Sequence, residues 1–350
     1  MHIWTETPER EIWRQLRYFR SPANVYNLLS GKLKTLRQQR WEESDKLASR
    51  SYDIAACIRQ ADDYYQAASE VGLSTEPLLQ FYGAQSLAKA CILANDPDSD
   101  LLGLKYHGLS TRWTGAQSHE AQQRLEEYSG NPLRWEVESE YAITNAGVFP
   151  LLCSITYDSI PQSGQILFFK ELIRLLPDLT DLFSRHYGEC SHCFYLADTP
   201  GFNAFKHYEV LVNSGVGMEA FRQLFPELQT DFTEYKKNAD TYSFLSNQTM
   251  TEKPSYLKLA KGAVAGIYLV KPHAVGIHSP LSVQYAALFI LSNVVRYKPS
   301  FWMRVIEGEK TGAASIVEAF CNLSRRRFPS DILQLLWNEE FSFGTPGYIC

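Results

Sequence analysis

One stretch limits what this chain can fold into more than any other: Glu76 to Arg112, EPLLQFYGAQSLAKACILANDPDSDLLGLKYHGLSTR. Its first half has the apolar spacing of an amphipathic helix, with Leu78, Leu79, Tyr82, Leu87, Ala90, Cys91 and Leu93. Pro77 falls in the first turn, where its missing N–H does no harm. A helix this poor in charge belongs in a core, so other elements must cover it. The acidic loop from Asn95 to Asp100 ends it. A polar cluster of His107, Ser110, Thr111 and Arg112 then follows within a few residues.

The flanking sequence supplies the cover. Pro8 to Leu36 reads as helix with a break near Ser21 and Pro22, and a long helix runs from about Trp41 to Val71, stopped by Gly72. A charged helix is expected between Ser118 and Tyr128. The period then changes to alternation over RWEVESEYAIT, which reads as a strand with Trp135, Val137, Ser139, Tyr141 and Ile143 on one face. Asn145 to Gly147 reads as a turn and VFPLLCSITY as a second strand, making a hairpin. Helix returns from Gln165 to Phe183. Short β segments are expected at 193–197, 207–212, 242–246 and 266–270, with a helix near Met218 to Phe225. From Pro280 the chain is helical again, through SVQYAALFILSNVVRY and two further segments after Pro299 to about Trp337.

These periods predict an α+β, predominantly α-helical protein in three parts. Residues 1–130 form a helical bundle, 131–278 a mixed middle region containing β-structure, and 279–350 a helical region packed on the first.

With 34 basic and 39 acidic residues the formal charge is −5, so no global field draws nucleic acid or a membrane. Any nucleic-acid contact has to be local. An aromatic share of 13% fits a packed chain and not a disordered one. Seven scattered cysteines point to free thiols in a reducing compartment. No signal peptide is visible and no apolar run reaches the roughly 18–20 residues of a membrane span, so a cytoplasmic protein is expected.

An imidazole, two hydroxyls and a guanidinium in KYHGLSTR are the groups that hold a phosphate or a 2′-hydroxyl. His107 and Arg112 could equally fasten the loop to the bundle. His119 follows Arg112 with six residues between them, and such a pair can flank one phosphate, Arg112 stabilising charge while a histidine moves a proton. Tyr82 and Lys89 share a helix face and Arg296 ends the apolar C-terminal helix beside aromatic rings, which makes these three candidate ligand-binding residues with Ser110 and Thr111. Cys190 and Cys193, near His186 and His207, supply a single CxxC, half of what a structural zinc site uses, so no metal is expected. His273 and His278 have no carboxylate or cysteine beside them in sequence and read as packing residues. Arg325, Arg326 and Arg327 read as a solvated basic face. No Walker A loop, strand-borne GxGxxG, GxSxG or HExxH occurs.

PLLQFYGAQSLAKACIL, HGLSTR, GVFP and LSNVVRYKPSFW, in that order, resemble the YaaC-like protein family of bacteria over most of the chain. More distantly, PLL-x-FYG-x3-LAKA with a His-bearing loop is similar to the HEPN superfamily of helical bundles. That similarity implies a metal-independent ribonuclease or toxin of defence systems, commonly dimeric, needing no cofactor. Its Arg-to-His signature falls on Arg112 and His119, with Trp113 where a polar residue is usual. The resemblance implies RNA or a nucleotide as ligand. The mild acidic charge and abundant aromatics also suit a non-catalytic subunit that docks a protein partner.

Overall fold

The computed structural model describes residues 1–36, 44–111, 136–198, 208–213, 221–226, 232–236, 241–246, 258–263, 266–308 and 312–344. Strand β1 (His2–Trp4) leads into helices α1 (Pro8–Arg17) and α2 (Pro22–Leu36), separated by a 3₁₀ turn at Tyr18–Arg20. Pro8 opens α1, Glu9 and Glu11 lie in its first turn, and Arg14 and Arg17 in its last, which matches the helix dipole at both ends. Helices α3 (Ser44–Glu70) and α4 (Glu76–Asn95) form an antiparallel pair.

Helix α4 packs against α3 and, from later in the chain, against α5 (Val148–Ile155), α8 (Pro280–Tyr297) and α10 (Ala313–Trp337). Covered from several sides, it buries Phe81, Ala84, Leu87, Ala88, Ala90, Cys91, Ile92 and Leu93 almost completely. Its last carbonyls are satisfied from outside. Arg50 donates to the Leu93 carbonyl at 3.0 Å and, just past the helix, to those of Asp96 and Pro97 at 2.9 and 2.8 Å. Lys32 Nζ donates to the Ala94 carbonyl at 3.4 Å and to the Asn95 side chain at 2.8 Å.

Three strands, β2 (His107–Ser110), β3 (Tyr141–Gly147) and β4 (Ile166–Phe168), make an antiparallel sheet in the order β2-β3-β4 on the same core. Helices α6 (Phe169–Ile173) and α7 (Thr180–Tyr187) follow. Strands β5 (Cys193–Asp198), β6 (Tyr208–Asn213), β7 (Phe232–Lys236), β8 (Thr241–Ser246), β9 (Leu259–Lys261) and β10 (Ile267–Val270) form a second antiparallel sheet, ordered β7-β8-β6-β5-β10-β9. Phe194, Leu196, Val210, Val212, Phe221, Phe225, Phe232, Phe244 and Leu269 give it a small core of its own. Helix α9 (Pro299–Ile306) joins α8 to α10, and β11 (Ser342–Gly344) pairs in parallel with β1. The molecule is α+β and predominantly helical.

The middle region departs from its sequence pattern in three places. Val137–Ser139 is a 3₁₀ turn, and the strand runs from Tyr141 through Asn145 to Gly147, where a turn is predicted. Val148–Ile155 is a helix, not the second strand of a hairpin. An eight-residue apolar run does not tell a buried strand from a buried helix, and Pro150 sits in the first turn, where it breaks no hydrogen bond. The predicted helix from Gln165 instead begins as β4, which pairs with β3, and Pro177 then divides the rest into short helical pieces. The predicted charged helix at 118–128 lies outside the described residues.

Candidate functional site

Phe81, Tyr82 and Gly83 of α4 each meet a different neighbour. Phe81 is fully buried, and its ring meets His107 edge-on at 5.3 Å, with Tyr285 and Phe289 of α8 at 5.6 and 5.4 Å. Tyr82 turns the other way and stacks on Tyr64 of α3 at 5.5 Å. Gly83 faces the Tyr65 ring of α3. A Cβ there would stand 2.5 Å from Cδ2 of Tyr65, so only glycine lets that ring lie flat on the helix.

His107 opens β2 at an irregular step in the ladder to β3. The step needs two glycines: Gly108, at φ +78°, where a Cβ would meet the Phe149 amide at 2.5 Å, and Gly147, at φ +138°. The His107 carbonyl accepts a hydrogen bond from the Tyr285 hydroxyl at 3.1 Å, which ties the strand to α8. Its ring is half-buried between Phe81 and Phe289, and its buried Nδ1 has no hydrogen-bond partner. Burial pushes the imidazole below its ordinary pKa, and the positive charges of Arg296 and Lys89 push it further the same way. Both causes favour the uncharged imidazole.

Arg296 comes from the last turn of α8. Its Nε donates to the Ser292 carbonyl at 3.1 Å, its Nη1 to the Tyr82 hydroxyl at 3.2 Å and its Nη2 to Asn293 Oδ1 at 3.3 Å. No carboxylate is among these partners. Tyr82, Lys89, His107 and Arg296 are thus brought to one neighbourhood of α4, β2 and α8, with Tyr64 as the member that no sequence motif singles out. The only trace of Tyr64 in the sequence is a tyrosine pair on a helix otherwise rich in alanine. Ser110 Oγ accepts from Asn145 Nδ2 at 2.7 Å, and Thr111 is exposed at the strand end. Arg112 and His119 lie outside the described residues.

Other polar groups are structural. Asp158, fully buried, accepts from the His278 and Ser279 amides at 2.8 and 3.0 Å and from Thr156 Oγ1 at 3.0 Å, and His278 Nδ1 lies 2.7 Å from it. Burial alone would raise its pKa, but the bonds from His278 and Ser282 outweigh burial and hold it low. His273 Nε2 lies 3.0 Å from Glu171. The fold therefore supplies both histidines with carboxylates that are distant in sequence. Burial raises the Cys190 and Cys193 thiols. Among the described residues no group of three or more His, Cys, Asp or Glu side chains could hold a metal.

The basic run also differs from its prediction. Arg327 is buried and pairs with Asp178 and Asp331, and Arg325 pairs with Glu9 and Glu76. Alternate positions of a helix point to different faces, so three consecutive arginines divide between the core and two surfaces.

Two clefts lie away from His107. One, about 1010 Å³, runs between α10, β9 and β10 and the β1–β11 pair, with His278 and Arg326 on its wall. The other, about 510 Å³, lies between α1, α3 and α10.

The fold and the site define a mainly helical α+β protein whose polar cluster is held by α4, β2 and α8. The chain belongs to the YaaC-like protein family, whose family model matches residues 17–336. No curated protein and no solved structure matches it. Among the described residues no helix is long and apolar enough to cross a membrane.

Proposed function

We propose that the Tyr82–His107–Arg296 site binds a phosphate-bearing ligand, RNA or a nucleotide, with Lys89 adding positive charge. The observation that carries this reading is the Arg296 guanidinium, held at 3.2 Å by the Tyr82 hydroxyl near the half-buried His107, whose buried Nδ1 has no hydrogen-bond partner among the described residues. Arg296 offers a guanidinium with no acid partner among the bonds described above. Tyr82 and Tyr64 offer stacked rings beside it, the combination that single-stranded nucleic acids use. Ser110 and Thr111, at the end of β2, precede Arg112 in the sequence. In this reading residues 1–130 act as a HEPN-like bundle. Arg112 stabilises charge and His107 or His119 moves the proton in a metal-independent ribonuclease, an effector of bacterial defence that works as a homodimer.

Fluorescence anisotropy with labelled single-stranded RNA, and with nucleotides as competitors, tests binding. Arg296→Gln is expected to weaken binding about tenfold and to flatten its salt dependence by about one phosphate contact. Unchanged affinity in that variant sinks the reading. Cleavage of the RNA in EDTA, lost in Arg112→Ala and His119→Ala, is the expected result for the nuclease step. Tight binding without any cleavage leaves a non-catalytic RNA- or nucleotide-binding subunit.

A further inference from the structure

The tyrosine next to Tyr64 faces a different opening. We infer that the cleft between α1, α3 and α10 is a second anion site, built to take a phosphate monoester. Tyr65 lines this cleft and is 2% exposed, yet its buried hydroxyl has no hydrogen-bond partner. The Trp13 ring packs at 5.1 Å against it on the same wall. A buried hydroxyl left unpaired costs about 1–3 kcal/mol relative to a satisfied one, so a protein that gained nothing from it would do better with phenylalanine.

The charges around that hydroxyl are arranged unevenly. Asp62 takes Arg17 through two bonds, at 2.8 and 2.9 Å, and Arg20 at 3.0 Å. Glu9 is met by Arg325 at 3.3 Å. Both carboxylates on the cleft wall are therefore already engaged. Arg10 and Arg326, also on the wall, have no acid partner among the described residues. The first turn of α1 opens here too. Pro8 has no N–H, and Thr7 places no side-chain cap on the amides that follow. Two unpaired guanidiniums, an uncapped helix start and a buried hydroxyl donor suit a group with several anionic acceptor oxygens. This site does not depend on the His107 reading, since the two tyrosines leave α3 on different faces.

Inorganic phosphate is the probe, titrated calorimetrically into the full chain against chloride and acetate at matched ionic strength. Phosphate is expected to bind, and to raise the melting temperature beyond what the matched salts do. Tyr65→Phe and Arg326→Gln should each weaken phosphate about tenfold. Tyr65→Phe removes only an unpaired group, so it should fold as well as the parent. Arg296→Gln, which alters the other site, should leave the phosphate response intact. An equal response in Tyr65→Phe, an equal response to chloride or acetate, or loss of the response only in Arg296→Gln would each overturn the assignment.

Discussion

The helical body and the six-stranded sheet solve burial in different ways. The sheet places one residue in two inward, and its small core is almost wholly aromatic and aliphatic. The helical body wraps several elements around α4 and has to take polar groups inside with it. Gln80 bonds to Glu76 and the Cys321 carbonyl, Ser324 to Gln284, and Arg327 to two aspartates. Such pairs cost stability against apolar packing but fix which helix lies where. Every described candidate for chemistry lies in the body. The candidate residues thus sit where burial is hardest to satisfy.

The largest test of that contrast compares one phenylalanine from each core. Phe81→Ala should cost about 3–5 kcal/mol and lower the single unfolding transition seen in denaturant. Phe244→Ala, nearly as buried, should open the sheet locally, seen as faster amide exchange at 193–198 and 241–246 with α4 still protected. If both variants speed exchange in α4 alike, the two regions are one cooperative unit and the contrast fails.

Gly83→Ala comes next, at about 1–3 kcal/mol, because its methyl drives into the Tyr65 ring. Thermal melts would report it, and a neutral result would mean that α3 and α4 can separate freely.

The junction of the two regions carries a pH signature. His192 donates its amide to the Arg174 carbonyl and accepts at its own carbonyl from Lys271. Burial, then the charge of Arg174, push its imidazole from 6.5 down to about 4. The unfolded chain therefore takes up a proton first as pH falls. Stability should drop from about pH 6.5 to about 4, by up to about 1.4 kcal/mol per pH unit, and then level off. His192→Gln should remove that slope in urea titrations. Asp158, held low, adds a loss in the same direction at pH below 3.8. The smallest expected effect is Arg185→Ala, whose exposed partner is Asp181: under about 0.5 kcal/mol by the same melts.

The helices were legible because their signals are redundant. Pro77, Pro280 and Pro299 mark starts, and the apolar spacing of α3, α4 and α8 spans several turns. Strands β5, β6, β8 and β10 were legible as short β-rich segments, whereas β7 and β9 were not foreseen. Misreadings came where an apolar run was too short to have a period, at Val148–Ile155, or where pairing with a distant strand decided the matter, at Ile166–Phe168. The candidate cluster was partly legible. His107, Tyr82 and Arg296 stand out as polar groups on apolar elements. The partners of His278 and His273 were invisible, since Asp158 and Glu171 are more than 100 residues away from them in sequence. The same holds for Glu9, Glu76 and Asp178, the acids that three other segments bring to Arg325 and Arg327, while Asp331 lies one turn further along Arg327's own helix.

The order of the chain gives the buried α4 a further consequence, in synthesis. The helix leaves the ribosome early, while α8 and α10, which cover two of its sides, follow only after the whole middle region. At ~5–20 residues per second, the wait between Asn95 and Pro280 is on the order of 10–40 s. Through that interval the nascent chain carries a partly uncovered apolar helix, shielded at first by α3 and later by α3 and α5. Slow translation or a shortage of chaperones should therefore harm this protein more than a chain whose core closes in sequence order.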